Sequence, residues 1–291
     1  MICQRRKEIM AYFDTHAHYR RGFPSKKHRD FHQKVSEILK TAHENGVKKI
    51  MNVGLDVLMS EYILHDFKNY PWNEMEEMPE IYFAVGEHPR NVKGEMFSIM
   101  DREDDLKLQE LCKDLRVRAI KTGLDHTVEY HRYARQEKRF RDLIRLSKKT
   151  NLPLILHVRD AYSDAIRILD EESEGKKYCG VVHCFCGSLA EAKEYVKRGF
   201  LLGIGGKITH SEKEELEEAV REISIEHLVL ETDCPYIRLK GGPKMSTSSD
   251  LPAIAKSVWE IKKQAGFELT LEEMEEIMYA NSELLFEKKG S

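Results

Sequence analysis

Near the start of the chain, Asp14-Thr15-His16-Ala17-His18 sets two imidazoles one residue apart on a short, largely apolar run. Alternate residues of a strand share a face, so His16 and His18 project together, about 6–7 Å apart at their Cα atoms. Such a pair can pinch one transition-metal ion, and imidazole suits Zn, Fe, Mn or Ni. Alone the pair is weak evidence, because two ordinary polar residues on a strand look the same. Four further candidate ligands recur downstream, each near the end of a short apolar run: His88, His157, His183 and Asp233. Gathered at one place, these groups point to metal-assisted hydrolysis, in which the ion acidifies a water and polarises the bond under attack.

Something must bring residues so far apart in the chain together. Eight short apolar runs stand out, at 12–17, 47–54, 81–86, 117–121, 153–158, 180–185, 200–206 and 228–233. Helix-forming stretches lie between and after them, at 30–45, 136–150, 161–172, 189–199, 211–223, 251–265 and 271–286. Thr270 and Glu273 make a capping-box pattern at the start of the last. Strands alternating with helices imply parallel βαβ units, and eight of them imply an α/β fold, a TIM-type (β/α)8 barrel with outer helices. In such barrels chemistry sits at the C-terminal ends of the strands. The candidates meet that expectation: His16 and His18 end run one, His88 follows run three, and Lys121 ends run four. His157 ends run five, His183 lies near the end of run six, and Asp233 ends run eight. Residues 1–10 read as an N-terminal leader and 11–291 as one barrel domain.

With Lys+Arg at 47 and Asp+Glu at 50 the formal charge is −3, so no global basic field exists for nucleic acid. No run approaches the ~18 apolar residues that span a bilayer, and no apolar segment follows the basic N-terminus, which points to a cytoplasmic protein without a membrane partner. The 6 cysteines lack disulfide-framework spacing. Cys184 and Cys186 read as core packing rather than a thiolate metal pair, and the remaining histidines need no special role. Oligomeric state is left open, with a monomer as the working expectation.

Several segments carry a resemblance to the TatD-type metal-dependent deoxyribonucleases of the amidohydrolase-like superfamily. They are Phe13-Asp14-Thr15-His16-Ala17-His18, Gly86-Glu87-His88-Pro89, Thr122-Gly123-Leu124-Asp125 and Asn151 through Ala161 around His157. Val182-His183-Cys184-Phe185 and Leu230-Glu231-Thr232-Asp233-Cys234-Pro235-Tyr236 complete them. The resemblance implies a distorted TIM barrel holding one or two divalent ions, zinc first, with manganese or magnesium as alternatives. It gives His16, His18 and Asp233 to a first metal, and His157 and His183 to a second. It places His88 beside the site against substrate phosphate, and Asp233 as the group that takes a proton from the attacking water.

The chain departs from the family at one position. Where the family has a glutamate bridging the two metals, this sequence reads Ile120-Lys121-Thr122-Gly123. An ammonium has no lone pair to donate, and it would repel each ion by about 4 kcal/mol per unit-charge pair at 4 Å. One escape is a lowered pKa and addition of CO2, giving a carboxylated Lys121 that ligates as the glutamate does; wider-superfamily relatives bridge metals in this way. In another, Lys121 stays cationic, pairs with Asp233 or replaces the second ion. A third is that its side chain points elsewhere.

For substrate, Arg159, Lys207, Tyr236 and Arg238 lie on the loops that follow the strands and suit phosphate or base contacts, as do Arg90, Lys240 and Lys244. The Arg- and Lys-rich stretch 132–149 reads as the solvated face of an outer helix. The expected reaction is cleavage of phosphodiester bonds in DNA, or of a small phosphoester. The alternatives are a small-molecule hydrolase of lactones, amides or phosphoesters built on the carboxylated lysine, and a metal-binding protein with an impaired site.

Overall fold

The computed structural model describes residues 11–20, 31–68, 75–92, 99–210 and 214–287; the expected leader, 1–10, lies outside them, as does the start of the helix expected at 211–223. Eight strands share one sheet: β1 (Tyr12–Ala17), β2 (Val47–Val53), β3 (Glu80–Gly86), β4 (Val117–Asp125), β5 (Leu154–Arg159), β6 (Gly180–His183), β7 (Phe200–Ile204) and β8 (Leu228–Leu230). They follow chain order, and each neighbouring pair is parallel. A parallel bridge from Ala17 to Cys234 brings β1 against the end of β8, so the sheet is a nearly closed, distorted TIM barrel.

Helices occupy the outside: α1 (Phe31–Glu44), α2 (Val57–Lys68), α3 (Ile99–Leu111), α4 (Tyr133–Thr150), α5 (Tyr162–Glu172), α6 (Leu189–Lys197), α7 (Glu214–Glu222), α8 (Leu251–Gln264) and α9 (Leu271–Phe286). The capping box at α9 forms as expected. Thr270 Oγ1 accepts from the Glu273 amide at 3.2 Å, and the Glu273 carboxylate accepts from the Thr270 amide at 2.8 Å. The unnamed helices α2 and α3 fill intervals with weaker periodicity; α2 buries Val57, Ile63 and Phe67 yet exposes Leu58 and Tyr62.

Inside the barrel, Phe13, Met51, Val53, Ala84, Ala119, Ile155, Val181 and Val229 form an apolar plug, with Leu285 and Phe286 of α9 packed against it. Side chains alternate along a strand, so the residues two positions beyond the plug on β4, β5 and β6, and the one just past the end of β8, also point inward. These are Lys121, His157, His183 and Glu231. The site is thus the next layer of the barrel interior, resting on a dry floor.

Three expectations are corrected. Lys121 does not end its strand: β4 continues to Asp125, and Lys121 sits mid-strand beside Gly86 and Ile155. The apolar signal stops at Lys121 while the ladder runs on, helped by Gly123, where a Cβ would come 1.8 Å from the His157 carbonyl oxygen. β5 likewise runs two residues past His157. Conversely β8 stops at Leu230 and β6 at His183, so Asp233 and Cys184 lie on the following loops.

Candidate metal centre

β1 supplies two ligands through an irregularity. Between Asp14 and Ala17 it spends three residues against the two that separate Ile50 and Asn52 on β2. This bulge re-aims the chain, so Phe13 and His16 both face the interior, which strict alternation forbids. Asp14 stays outside and becomes a post. It is fully buried and accepts from the Thr232 amide (2.9 Å), Thr232 Oγ1 (2.6 Å) and Ser248 Oγ (2.6 Å). Burial pushes its carboxyl up to about 6.

Thr232 held in this way fixes its neighbour. Asp233 has φ of 51° and donates its amide to the His16 carbonyl at 2.8 Å. Its Oδ1 lies 3.2 Å from His18 Nε2, and 3.9 Å from Nε2 of both His16 and His183. His18 Nδ1 is 2.8 Å from the Val53 carbonyl. A carbonyl can only accept, so Nδ1 carries a proton, and Nε2 is the ring nitrogen that faces Asp233.

The His183 ring stacks on His16 at 3.5 Å between centroids. Its Nδ1 stands 2.9 Å from Glu231 Oε1, out of line for a hydrogen bond. Glu231 is fully buried, accepts from the Cys184 amide at 2.6 Å, and is driven well above the usual carboxyl range by burial. Gly203 makes its space, since a Cβ there would meet Glu231 Oε2 at 2.3 Å.

His157 is turned aside. Its Nε2 is 3.2 Å from Asp125 Oδ2, and its ring lies 4.1 Å from His88 but 6.1 Å from His183. Burial raises Asp125, but hydrogen bonds from His157 and Thr127 outweigh it and hold the carboxyl below its usual range. His88 Nδ1 accepts from the Arg90 amide at 3.2 Å, and burial keeps the imidazole neutral.

Lys121 is fully buried, with its amine toward the Asp233 and Glu231 carboxylates and no hydrogen-bond partner among the described residues. Burial lowers its pKa to about 8. The side chain therefore points into the site, which disposes of the reading that it faces elsewhere.

These groups fit a divalent ion. His16 Nδ1 and Nε2, His183 Nδ1, Glu231 Oε2 and Lys121 Nζ are all buried without hydrogen-bond partners. Unpaired buried polar atoms are costly and rare, and a cation accounts for the lone pairs among them. Burial also depresses His16 and His183 well below the usual imidazole value, keeping them in the neutral form that ligates. Two donor groups have ligand atoms within 4.8 Å of one another: His16, His18 and Asp233, and His16, His183 and Glu231. Thus His16, His18, His183 and Asp233 come together, while His157 and His88 form a pair to one side. Glu231 and Asp125 were not among the expected site residues; the inward alternation from Val229 to Glu231 was the available signal for the first.

Of the expected substrate contacts, Tyr236 lies closest to the cluster, its ring 5.3 Å from His18 and its hydroxyl accepting from Arg20 at 3.0 Å. Arg159 and Arg238 are exposed on the rim. Lys207 lies beside the Cys184 and Cys186 thiols. Those thiols are free, half-buried and hydrogen-bonded to each other. The basic stretch 132–149 is largely ion-paired across the outer helices, as in Arg141–Glu137 (2.9 Å) and Arg145–Glu172 (2.7 Å), although Arg139 is buried against Glu87 (2.7 Å).

A family model described as TatD related DNase matches residues 13–287. The chain belongs to that family. An uncharacterized metal-dependent hydrolase, YabD of Bacillus subtilis (strain 168), is 32% identical over 278 residues, covering 94% of this chain and 98% of its own. The 3'-5' ssDNA/RNA exonuclease TatD of Cronobacter sakazakii is 30% identical over 88% of this chain and 92% of its own. The crystal structure of the Escherichia coli K12 TatD homologue YjjV superposes with a TM-score of 0.80 at 25% identity, covering 96% and 98% of the two chains. The protein is a metal-dependent hydrolase of the TatD family. No helix among the described residues is long and apolar enough to cross a membrane.

Proposed function

We propose that this TatD-family protein hydrolyses phosphodiester bonds of single-stranded DNA at the mouth of the barrel. The observation that carries the reading is the Asp233 carboxylate among the imidazoles of His16, His18 and His183, surrounded by buried polar atoms without partners. The name of the Cronobacter relative, a single-strand exonuclease, favours phosphodiesters over other esters.

One or two divalent ions, zinc first and manganese or magnesium as alternatives, would supply the charge that acidifies water and polarises the scissile P–O bond. His16, His18 and Asp233 would hold the first, with His183 and Glu231 adjoining. Asp233, its side chain 14% exposed, takes the proton from the attacking water. His88 has Nδ1 occupied as an acceptor, so its proton is on Nε2, free to donate to a phosphate oxygen. Arg159, Arg238 and the half-exposed Tyr236 hold the rest of the substrate. Asp125 orients His157 through its Nε2.

Lys121 supplies the missing carboxylate as a carbamate. With a pKa of about 8, roughly a tenth of the amine is neutral at pH 7. The neutral nitrogen bonds to the carbon of CO2, a proton leaves, and an anionic oxygen pair replaces an unpartnered ammonium. Carbon-13 bicarbonate should yield a carbamate NMR signal in the metal-loaded protein that Lys121→Met lacks; identical spectra would leave Lys121 a cation.

The reaction is tested by incubating the protein with single-stranded DNA, bis(p-nitrophenyl) phosphate and a lactone in the presence of zinc, manganese or magnesium. Phosphodiester cleavage lost in Asp233→Asn is expected. Lactone opening without phosphodiester cleavage would turn the assignment to a small-molecule hydrolase.

A further inference from the structure

Two exposed tyrosines stand across the barrel mouth from each other. Tyr236 follows β8 and is 52% exposed beside His18. Tyr130 follows β4, four strands round the ring from β8, and is 83% exposed, the largest value among the large apolar side chains of the described residues. Packing gives no reason for an aromatic ring at that position. The rings behind it are layered: Tyr130 meets Tyr133 at 5.2 Å in an edge contact, and Tyr133 stacks on His126 at 3.9 Å with 10° between planes. Together they line a cleft of about 390 Å³ beside α4 and α5.

The loop that carries these rings is held firmly. Gln136 exchanges two hydrogen bonds with the Asp125 backbone (2.9 and 3.0 Å), Tyr133 donates to the His126 carbonyl at 2.6 Å, and Arg132 donates to the Arg90 and Val92 carbonyls at 2.8 and 2.9 Å. The acid on this loop, Glu129, lies 3.9 Å from Arg132, and the acids that line the cleft are paired: Glu137 with Arg141 and Arg167, and Asp164 with Arg167. Half-exposed Arg90 lies 4.0 Å from the buried Asp125 carboxylate. His126 directly follows Asp125, the partner of His157, so the stack begins one residue along the chain from the group that holds His157.

We propose that the loop between β4 and α4, with Tyr130 as its outer face, is a base-stacking platform for single-stranded nucleic acid. The strand crosses the mouth between Tyr236 and Tyr130, with a phosphate at His16, His18 and Asp233 between them. The proposal rests on the phosphodiesterase reading. Every base has a π face, so such a platform tolerates any sequence; a duplex keeps its bases stacked inside, so the platform favours single strands.

The test is fluorescence anisotropy with the metal-loaded protein and labelled phosphorothioate oligothymidylates, one a dimer and one an octamer. Tyr130→Ala should weaken octamer binding about tenfold and leave dimer binding within twofold, and Tyr130→Trp should restore the octamer. Unchanged octamer binding in Tyr130→Ala, or equal weakening of dimer and octamer, would overturn the platform while the phosphodiesterase reading stands. A wild type that binds neither oligomer yet hydrolyses a lactone overturns both.

Discussion

The amide of Asp233 donates to the carbonyl of His16 at 2.8 Å, and that single bond ties the closing of the barrel to the building of the site. It presses the loop after β8 onto β1, and it sets the Asp233 carboxylate among the imidazoles that β1 and β6 supply. The left-handed backbone at Asp233, with φ of 51°, is tolerated because Asp14 and His16 clamp the loop from both sides.

Because the clamp uses the backbone of Asp233, its side chain can be changed without opening the barrel. Asp233→Asn should retain the melting temperature of the metal-free protein while losing at least about a hundredfold in kcat, as expected when a proton acceptor is removed. Calorimetric metal titration beside kinetics checks this; unchanged turnover would remove Asp233 from the reaction.

Lys121 makes the stability of the metal-free protein depend on pH in a defined direction. Its folded pKa of about 8 lies below the ordinary 10.5, so the stability it contributes is present above 10.5 and lost as pH falls through 8. Burying the charged amine costs about 3 kcal/mol at neutral pH. Lys121→Met should therefore stabilise the metal-free protein at pH 7 by an amount of that order, and the gain should shrink toward pH 10. Urea unfolding of both proteins at the two pH values measures it.

Asp125 orients His157 from outside the cluster. Partners of this kind typically change metal affinity or activity by about ten- to a hundredfold. Asp125→Asn should lower activity within that range, and the His157 NMR resonances should shift with it. Wild-type activity together with unshifted His157 resonances would make the contact incidental.

Much of this was legible before any coordinates. The imidazoles at 16, 18, 157 and 183 announce themselves by sitting where short apolar runs stop; three of them come together at Asp233, while His157 turns aside to Asp125. Lys121 was legible as a type but not as a depth: apolar character ends there, while the backbone ladder, which hydropathy does not report, continues to Asp125. Glu231 was overlooked because an acid within an apolar run gives no sign of facing inward until Val229 is known to line the plug. The bulge that turns His16 inward depends on pairing with β2, and no local pattern in β1 encodes it.

The capping box at α9 gives a control remote from chemistry. Thr270→Ala removes the acceptor for the Glu273 amide and should cost about 1 kcal/mol in unfolding free energy. It should leave kcat unchanged, read from denaturation and steady-state kinetics on one preparation.

The most direct test of the central claim is anomalous diffraction at the zinc edge from crystals grown with zinc. The account requires a peak about 2.0–2.2 Å from a ring nitrogen of His16 and of His18 and from a carboxylate oxygen of Asp233. Fully loaded crystals whose anomalous density lies away from these three residues would contradict it.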